Sequence, residues 1–299
     1  MMDYKLVEAV AAVIECGGFE KAAQRLNLTQ SAVSQRVRLL EERMATPLII
    51  RATPPQATDS GLRLLRHYQQ VHTLELSLVD ELSPQASAQY KTLSIGINAD
   101  SLATWFLDSI ADECRQQRLL LDLHSADESV TLGMLRRGQV IGCISSSAEP
   151  IQGCRIEPLG RMAYIAVATP AFIRHHFPRG VCAEGLRGAP TVIFNLDDRL
   201  QERYLQQHFQ LQPGEYPHHL LPSTQAFADA AQLGIAYSLV PRLQVERQLR
   251  EGSLQELAPG RAVYSELYWH YWNIRSPLLD RLSRTLIREA GSRLLPIKG

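Results

Sequence analysis

Residues 29–36, Thr29-Gln30-Ser31-Ala32-Val33-Ser34-Gln35-Arg36, decide how the N-terminal end of this chain folds. Thr29 is an N-cap residue type, and the helix it opens runs to Arg43 with Val33, Val37 and Leu40 on its inner face. Just upstream, Asn27-Leu28 forms a tight turn after a shorter helix from Phe19 to Leu26. That helix turns Phe19, Ala22, Ala23 and Leu26 inward, and its alanines let the next helix approach closely. A first helix, Tyr4 to Cys16, places Leu6, Val7, Val10, Val13 and Ile14 at helical spacing and ends at Gly17-Gly18. Two short helices joined by a tight turn read as a helix-turn-helix.

The outer face of the second of these helices carries Gln30, Ser31, Ser34, Gln35 and Arg38. Gln and Arg pair with base edges in the major groove, and Ser and Thr reach phosphates. A merely solvated face would leave so many short, uncharged hydrogen-bonding residues beside Arg unexplained. The segment Pro47-Leu48-Ile49-Ile50-Arg51 followed by Gln56-Ala57-Thr58 reads as a two-stranded wing with Pro54-Pro55 at its tip. Candidate DNA contacts are therefore Thr29, Gln30, Ser31, Ser34, Gln35, Arg36, Arg38 and Arg51. Charge agrees: residues 21–66 hold eight basic residues against three acidic ones, although the chain is neutral as a whole, with 31 of each sign. A local basic excess is the footprint of nucleic-acid contact.

From Asp59 to Leu82, Leu62, Leu65, Tyr68, Val71, Leu74, Leu78 and Leu82 recur at spacings of three and four. Such a stripe needs a partner: a second copy, giving two readers ~34 Å or more apart, or the chain's own domain. Ser83-Pro84-Gln85-Ala86-Ser87 reads as a hinge. At 299 residues, 45% hydrophobic and 21% charged, the chain suits two or three globular domains. No signal-like start and no apolar run near the ~20 residues of a membrane span is visible, so a cytoplasmic protein without a membrane partner is expected. Five scattered cysteines, without a C-x-x-C pair, indicate neither a disulfide framework nor a metal site.

After residue 91 the pattern becomes α/β. Thr92–Ile97, Leu119–His124, Val140–Ser145, Ala163–Ala168 and Thr191–Phe194 read as strands. Ser101–Gln117, Ser129–Arg137, Gln201–Gln207 and Gln225–Leu233 read as helices between them. Alternation implies parallel sheets with ligands at the carboxyl ends of strands, and two lobes with a cleft between them. The expected division is a winged helix-turn-helix domain at 1–58, a linker helix and hinge at 59–90, and a two-lobed domain at 91–299. Lobe I would hold 91–166 and 268–299, lobe II 167–267, with crossings near Val167-Ala168 and Tyr268-Trp269.

Cleft candidates follow from strand ends. Asn98-Ala99-Asp100-Ser101 brings a helix start to the cleft, where free N–H groups favour a carboxylate. Asp100 either caps that helix or accepts a ligand's α-amino group. Asp127 and Glu128 either receive a cationic side chain or cap the helix near Ser129. Ser145 and Ser146, Asp197 and Asp198, and Ser223 and Thr224 follow later strands or precede helices. Acids and hydroxyls without a matching Lys or Arg suggest a zwitterion with a positive side chain.

Phe19-x-x-Ala22-Ala23, the Thr29–Ser34 helix start, the continuation through Leu39 and Glu41, Pro47-Leu48-x-x-Arg51 and Thr58-x-x-Gly61 form one ordered set. In them, residues 4–82 resemble the DNA-binding domain of LysR-type transcriptional regulators. Gln56 departs from the pattern, since related wings often carry a second basic residue there. The second half resembles the ArgP or LysG type, regulators of basic-amino-acid export. The stretches that carry this are Asn98–Trp105, Leu135-Arg136-Arg137-Gly138, Pro170-x-Phe172 with Phe177-Pro178-x-Gly180, and Leu267-Tyr268-Trp269-His270. The resemblance implies a periplasmic-binding-protein-like effector domain, L-lysine or L-arginine as effector without a cofactor, and an exporter gene as target. It also implies double-stranded DNA and RNA polymerase as partners and a homodimer-to-homotetramer assembly. Replication-origin binding is a second implication of the same group, and another metabolite or a redox signal remains open as effector.

An enzyme is the rival class, since two-lobed α/β domains also host catalysis. H-E-x-x-H, G-x-S-x-G and the phosphate-cradling G-x-x-x-x-G-K-[ST] are missing, and His175-His176, His218-His219 and His270 read as exposed loop residues. Trp269 and Trp272 read as part of a half-buried strand. A solute-binding protein would need export, and Cys143 in a strand-like run reads as a small buried hydrophobe rather than a redox partner of Cys154.

Overall fold

A computed structural model describes residues 2–82, 90–125, 128–196 and 198–297. The N-terminal end contains helices α1 (Tyr4–Cys16), α2 (Phe19–Arg25) and α3 (Gln30–Met44), then strands β1 (Ile49–Ile50) and β2 (Gln56–Ala57) paired antiparallel. Val7, Val10, Val13, Ala22, Val33, Val37, Leu40 and Leu48 form its core. Helix α4 (Asp59–Leu82) starts where Thr58 Oγ1 accepts from Gly61 N at 3.0 Å and donates to Pro47 O at 2.8 Å. A Cβ on Gly61 would overlap the Leu48 carbonyl, so the wing and α4 can meet this closely only at glycine. Glu41 Oε1 accepts from Leu48 N at 2.8 Å and Ile49 N at 3.2 Å, tying the wing back to α3.

Helix α4 packs its first half on this core through Leu64 and Tyr68, while Leu74, Leu78, Val79 and Leu82 near its end are exposed. A different face, with Thr73 and Ser77 buried, lies against the chain's own second half. The expected hinge, Ser83 to Ser87, lies outside the described residues.

The second half begins with β3 (Lys91–Ile97), α5 (Ala99–Ser101), a π-helical turn Leu102–Phe106 and α6 (Leu107–Gln117). Next come β4 (Leu119–Ser125), α7 (Glu128–Arg136), β5 (Gly142–Ser145) and the long β6 (Cys154–Ala168). Then follow α8 (Pro170–His176), α9 (Ala183–Gly188), β7 (Thr191–Ile193), α10 (Arg199–Phe209), β8 (His218–Leu220), α11 (Thr224–Gln232) and β9 (Ser238–Pro241). The chain closes with α12 (Arg242–Glu251), β10 (Gln255–Glu256), β11 (Ala262–Trp272) and α13 (Pro277–Arg293). One sheet runs β10-β6-β11-β5-β3-β4, with β9 also on β6, and β7 pairs with β8. Strand β3 is parallel to β4 and β5, whereas β11 is antiparallel to β5 and β6.

Strands β6 and β11 form a two-stranded ribbon that passes from one lobe to the other. The register of the ribbon shifts between Leu267 and Tyr268, and from Tyr164 onward β6 pairs with β9 and β10 of the second lobe. Strand β6 runs unbroken from Cys154 to Ala168, through the expected crossing at Val167-Ala168. Alternation within one long strand cannot show which neighbours it pairs with. His270 also differs from its expected loop setting. It is fully buried in β11, with Nε2 2.8 Å from Ser147 O, and burial lowers its pKa below the ordinary histidine value.

Candidate functional site

Thr29 does what its residue type promised: its Oγ1 accepts from Ala32 N at 3.2 Å and lies 3.0 Å from Ser31 Oγ. Capping holds the first turn of α3 with Gln30, Ser31 and Gln35 exposed and Ser34 and Arg36 half-buried. Arg38 is exposed and pairs with Glu42 at 2.9 Å along the same helix. Arg51 stands exposed directly after β1. Arg25, counted in the basic excess, is turned back to Glu15 at 2.5 Å. Turn residue Asn27 adopts φ 53°, a left-handed value that asparagine tolerates.

Between the lobes lies a cavity of about 1250 Å³. Asn98, Asp100 and Ser125 of the first lobe line it, together with Val130 in the first turn of α7 and Ser146 after β5. The second lobe contributes Phe194, Asn195, Asp198, Thr224, Phe227 and Gln244, and the ribbon contributes Arg161, Tyr164, Tyr264 and Glu266. Asp100 is the meeting point of all three parts. Its Oδ2 accepts from Tyr164 OH at 2.6 Å and its Oδ1 from Thr224 Oγ1 at 3.0 Å. Burial pushes its carboxyl above the ordinary carboxylate range, against the two hydroxyls that favour the charged form. No Lys or Arg pairs with it among the described residues. Asn98 Oδ1 is buried beside it with no hydrogen-bond partner.

Asn98, Asp100, Ser146 and Thr224 are therefore brought together at the cavity. Ser101 and Ser145 are fully buried outside its lining, and Ser145 Oγ accepts from Ser147 N at 3.2 Å. Ser223 caps α11, accepting from Ala226 N at 3.4 Å, and Asp198 caps α10 while still lining the cavity. These short polar residues at element ends are used by the backbone itself. Asp127 and Asp197 lie outside the described residues, and Glu128 opens α7.

The expectation of acids without matching arginines is corrected: Arg161, Arg199 and Arg203 line the same cavity. Arg161 lies over the Tyr264 ring at 4.7 Å, Arg203 Nη2 donates to Tyr264 O at 2.9 Å, and Arg199 pairs with Glu202 at 2.8 Å. These residues and Tyr164 sit within a strand or a helix, where no local signal separates a cavity wall from solvent. Burial raises the Cys143 thiol and takes Cys154 to about 11, so neither is poised as a thiolate.

Residues 4–62 match a family model described as bacterial regulatory helix-turn-helix protein, lysR family. Residues 88–291 match the LysR substrate binding domain. The HTH-type transcriptional regulator ArgP of Pseudomonas fluorescens (strain Pf0-1) is 46% identical over 300 residues, 99% of this chain and 100% of its own. The crystal structure of ArgP from Mycobacterium tuberculosis superposes with a TM-score of 0.85 at 33% identity over 100% of both chains. Full-length LysG from Corynebacterium glutamicum with bound effector Arg superposes with a TM-score of 0.78 at 30% identity, over 99% of this chain and 100% of that one.

Proposed function

We propose that this chain, which belongs to the LysR family of bacterial DNA-binding transcription regulators, senses a basic amino acid, L-arginine or L-lysine, and thereby controls an amino-acid exporter gene. Its family is one of regulators, so the enzyme alternative falls. The observation that carries the effector reading is Asp100, a half-buried carboxylate lacking a cationic partner where both lobes and the ribbon meet. An α-ammonium group placed there replaces lost hydration with a charge-assisted hydrogen bond. Asn98, Ser146 and Thr224 supply neutral polar contacts around it, the acids Asp127 and Glu128 are assigned to the cationic side chain, and Asp197 is a further cleft candidate. The arginine bound by the related LysG supports the same ligand class.

On the DNA side, Gln30, Gln35, Arg36 and Arg38 read the major groove, while Thr29, Ser31, Ser34 and Arg51 hold phosphates. Residues 1–58 form the reader, 59–90 the linker and 91–299 the sensor. Pairing through the exposed apolar end of α4 gives a dimer and, by repetition, a tetramer that presents its readers to RNA polymerase at a promoter. No helix among the described residues is long and apolar enough to cross a membrane.

The test is a thermal-shift titration of the purified chain against the common amino acids. At a ligand concentration of about 100 times Kd, stabilisation is about 2.7 kcal/mol. A shift with arginine or lysine alone supports the reading, and its loss in the Asp127→Ala, Glu128→Ala double variant assigns the side-chain end. A shift with neither amino acid removes the effector assignment and leaves the DNA reader standing.

A further inference from the structure

Helix α7 touches the cavity at one end and the DNA-side helix at the other. Val130 in its first turn lines the cavity. At its last residue, the Arg136 carbonyl accepts from the guanidinium of Arg66 on α4. Nine residues of helix make a rod of about 13 Å. Just beyond, Gly138 adopts φ 74°, and a Cβ there would meet the Arg66 backbone, 2.7 Å from its N. The two backbones are therefore in direct contact, with no flexible side chain between them to absorb a displacement. Further along α4, Ser77 Oγ lies 2.8 Å from Ser276 Oγ, the hydroxyl that caps α13, and both are buried. The Arg66–Thr73–Ser77 face of α4 is thus clamped to the first lobe at two points.

We infer that α7 carries cavity occupancy to the DNA reader, with Gly138 and Arg66 as its positioning residues. Occupation of the cavity shifts the first turn of α7. The helix moves as a unit, and its Arg136–Gly138 end displaces α4 at Arg66, re-aiming α3 through the core that α4 shares with it. A packed contact of this kind switches between discrete arrangements rather than deforming smoothly. It also gives the Leu135-Arg136-Arg137-Gly138 stretch a role that no ligand contact explains. The inference rests on the cavity being the effector site.

The test uses the full chain, L-arginine and L-lysine as probes, and a DNA fragment selected by the parent protein from a random-sequence pool. Gly138→Asn is the main variant, because asparagine tolerates the left-handed conformation and so tests the added bulk. Arg66→Met keeps the apolar stem and removes the bond to Arg136. Both should retain the parent's ligand-induced thermal shift, while the ligand-dependent change in DNA affinity falls to within about twofold of none. Without any ligand, hydrogen exchange at residues 66–77 should rise about tenfold in Gly138→Asn as α4 loosens. A ligand-dependent change equal to the parent's overturns the inference, and so does loss of the thermal shift itself. If the parent shows no shift with either amino acid, the effector reading fails by itself. The ligand-free exchange then decides the contact, and unchanged exchange at 66–77 overturns it.

Discussion

The DNA-reading end and the cavity are built on opposite plans. The polar contacts that shape residues 4–62 are short-range in sequence: Thr29 caps the helix it opens, Asn27 makes the turn beside it, and Glu41 ties down Leu48 and Ile49 seven and eight residues on. The cavity assembles from afar. Asp100 takes its hydrogen bonds from Tyr164 and Thr224, 64 and 124 residues away. A locally built site is stiff and tolerates only small changes in its own segment. One built across two lobes and a ribbon changes shape with any relative displacement of those parts, a geometry that suits a sensor.

The sharpest way to break this contrast is Gly61→Ala. A methyl there overlaps the Leu48 carbonyl, and backbone cannot step aside as a side chain does. A loss of about 3 kcal/mol is expected on overpacking grounds, read as a lower urea midpoint for the N-terminal transition together with lost DNA binding. An unchanged midpoint would mean that the wing and α4 do not hold the close Gly61–Leu48 approach.

Asp100→Ala addresses the other plan. It should weaken L-arginine binding about tenfold to a hundredfold, the worth of one charge-assisted hydrogen bond of about 1.5–3 kcal/mol, while DNA binding without effector persists. Calorimetric titration showing the parent's affinity would remove Asp100 from the site. Thr29→Ala is smaller: loss of the N-cap costs about 1 kcal/mol, visible as a lowered midpoint of the same N-terminal transition with no effect on the amino-acid titration.

The smallest effect is one of pH. Burial raises the Asp100 carboxyl, so the folded chain holds that proton more tightly than the unfolded one. The stability this group contributes is complete below the ordinary carboxylate range and is lost as pH rises through the raised value. Asp100→Asn should therefore melt with the parent in acid and above it at neutral pH, the gap opening as pH rises. A constant gap across that range would show that the carboxyl is not burdened by burial.

Legibility followed the same division. The helix-turn-helix, its caps and its polar face could be read because each signal lies within a few residues of what it controls. In the second half, β3, β4, α6 and α7 ended near where their patterns said, and Asn98 and Asp100 reached the cavity because they follow a strand. The serines did not all follow: Ser101, Ser145 and Ser223 are at strand or helix ends too, but are buried or occupied with capping. The arginines of the wall were missed because Arg161 sits mid-strand and Arg203 mid-helix, positions whose surroundings depend on what packs there.

By itself, then, the order of residues determined the local structures, the basic reader, the alternation into an α/β sensor and the family, since caps, turns and periodicity act over one or two helical turns. Tertiary structure alone decided which strands β6 pairs with, that His270 is buried, that Asp100 meets Tyr164 and Thr224, and that Gly138 faces Arg66. Each of these depends on which distant surfaces meet, and side-chain periodicity carries no record of the partner.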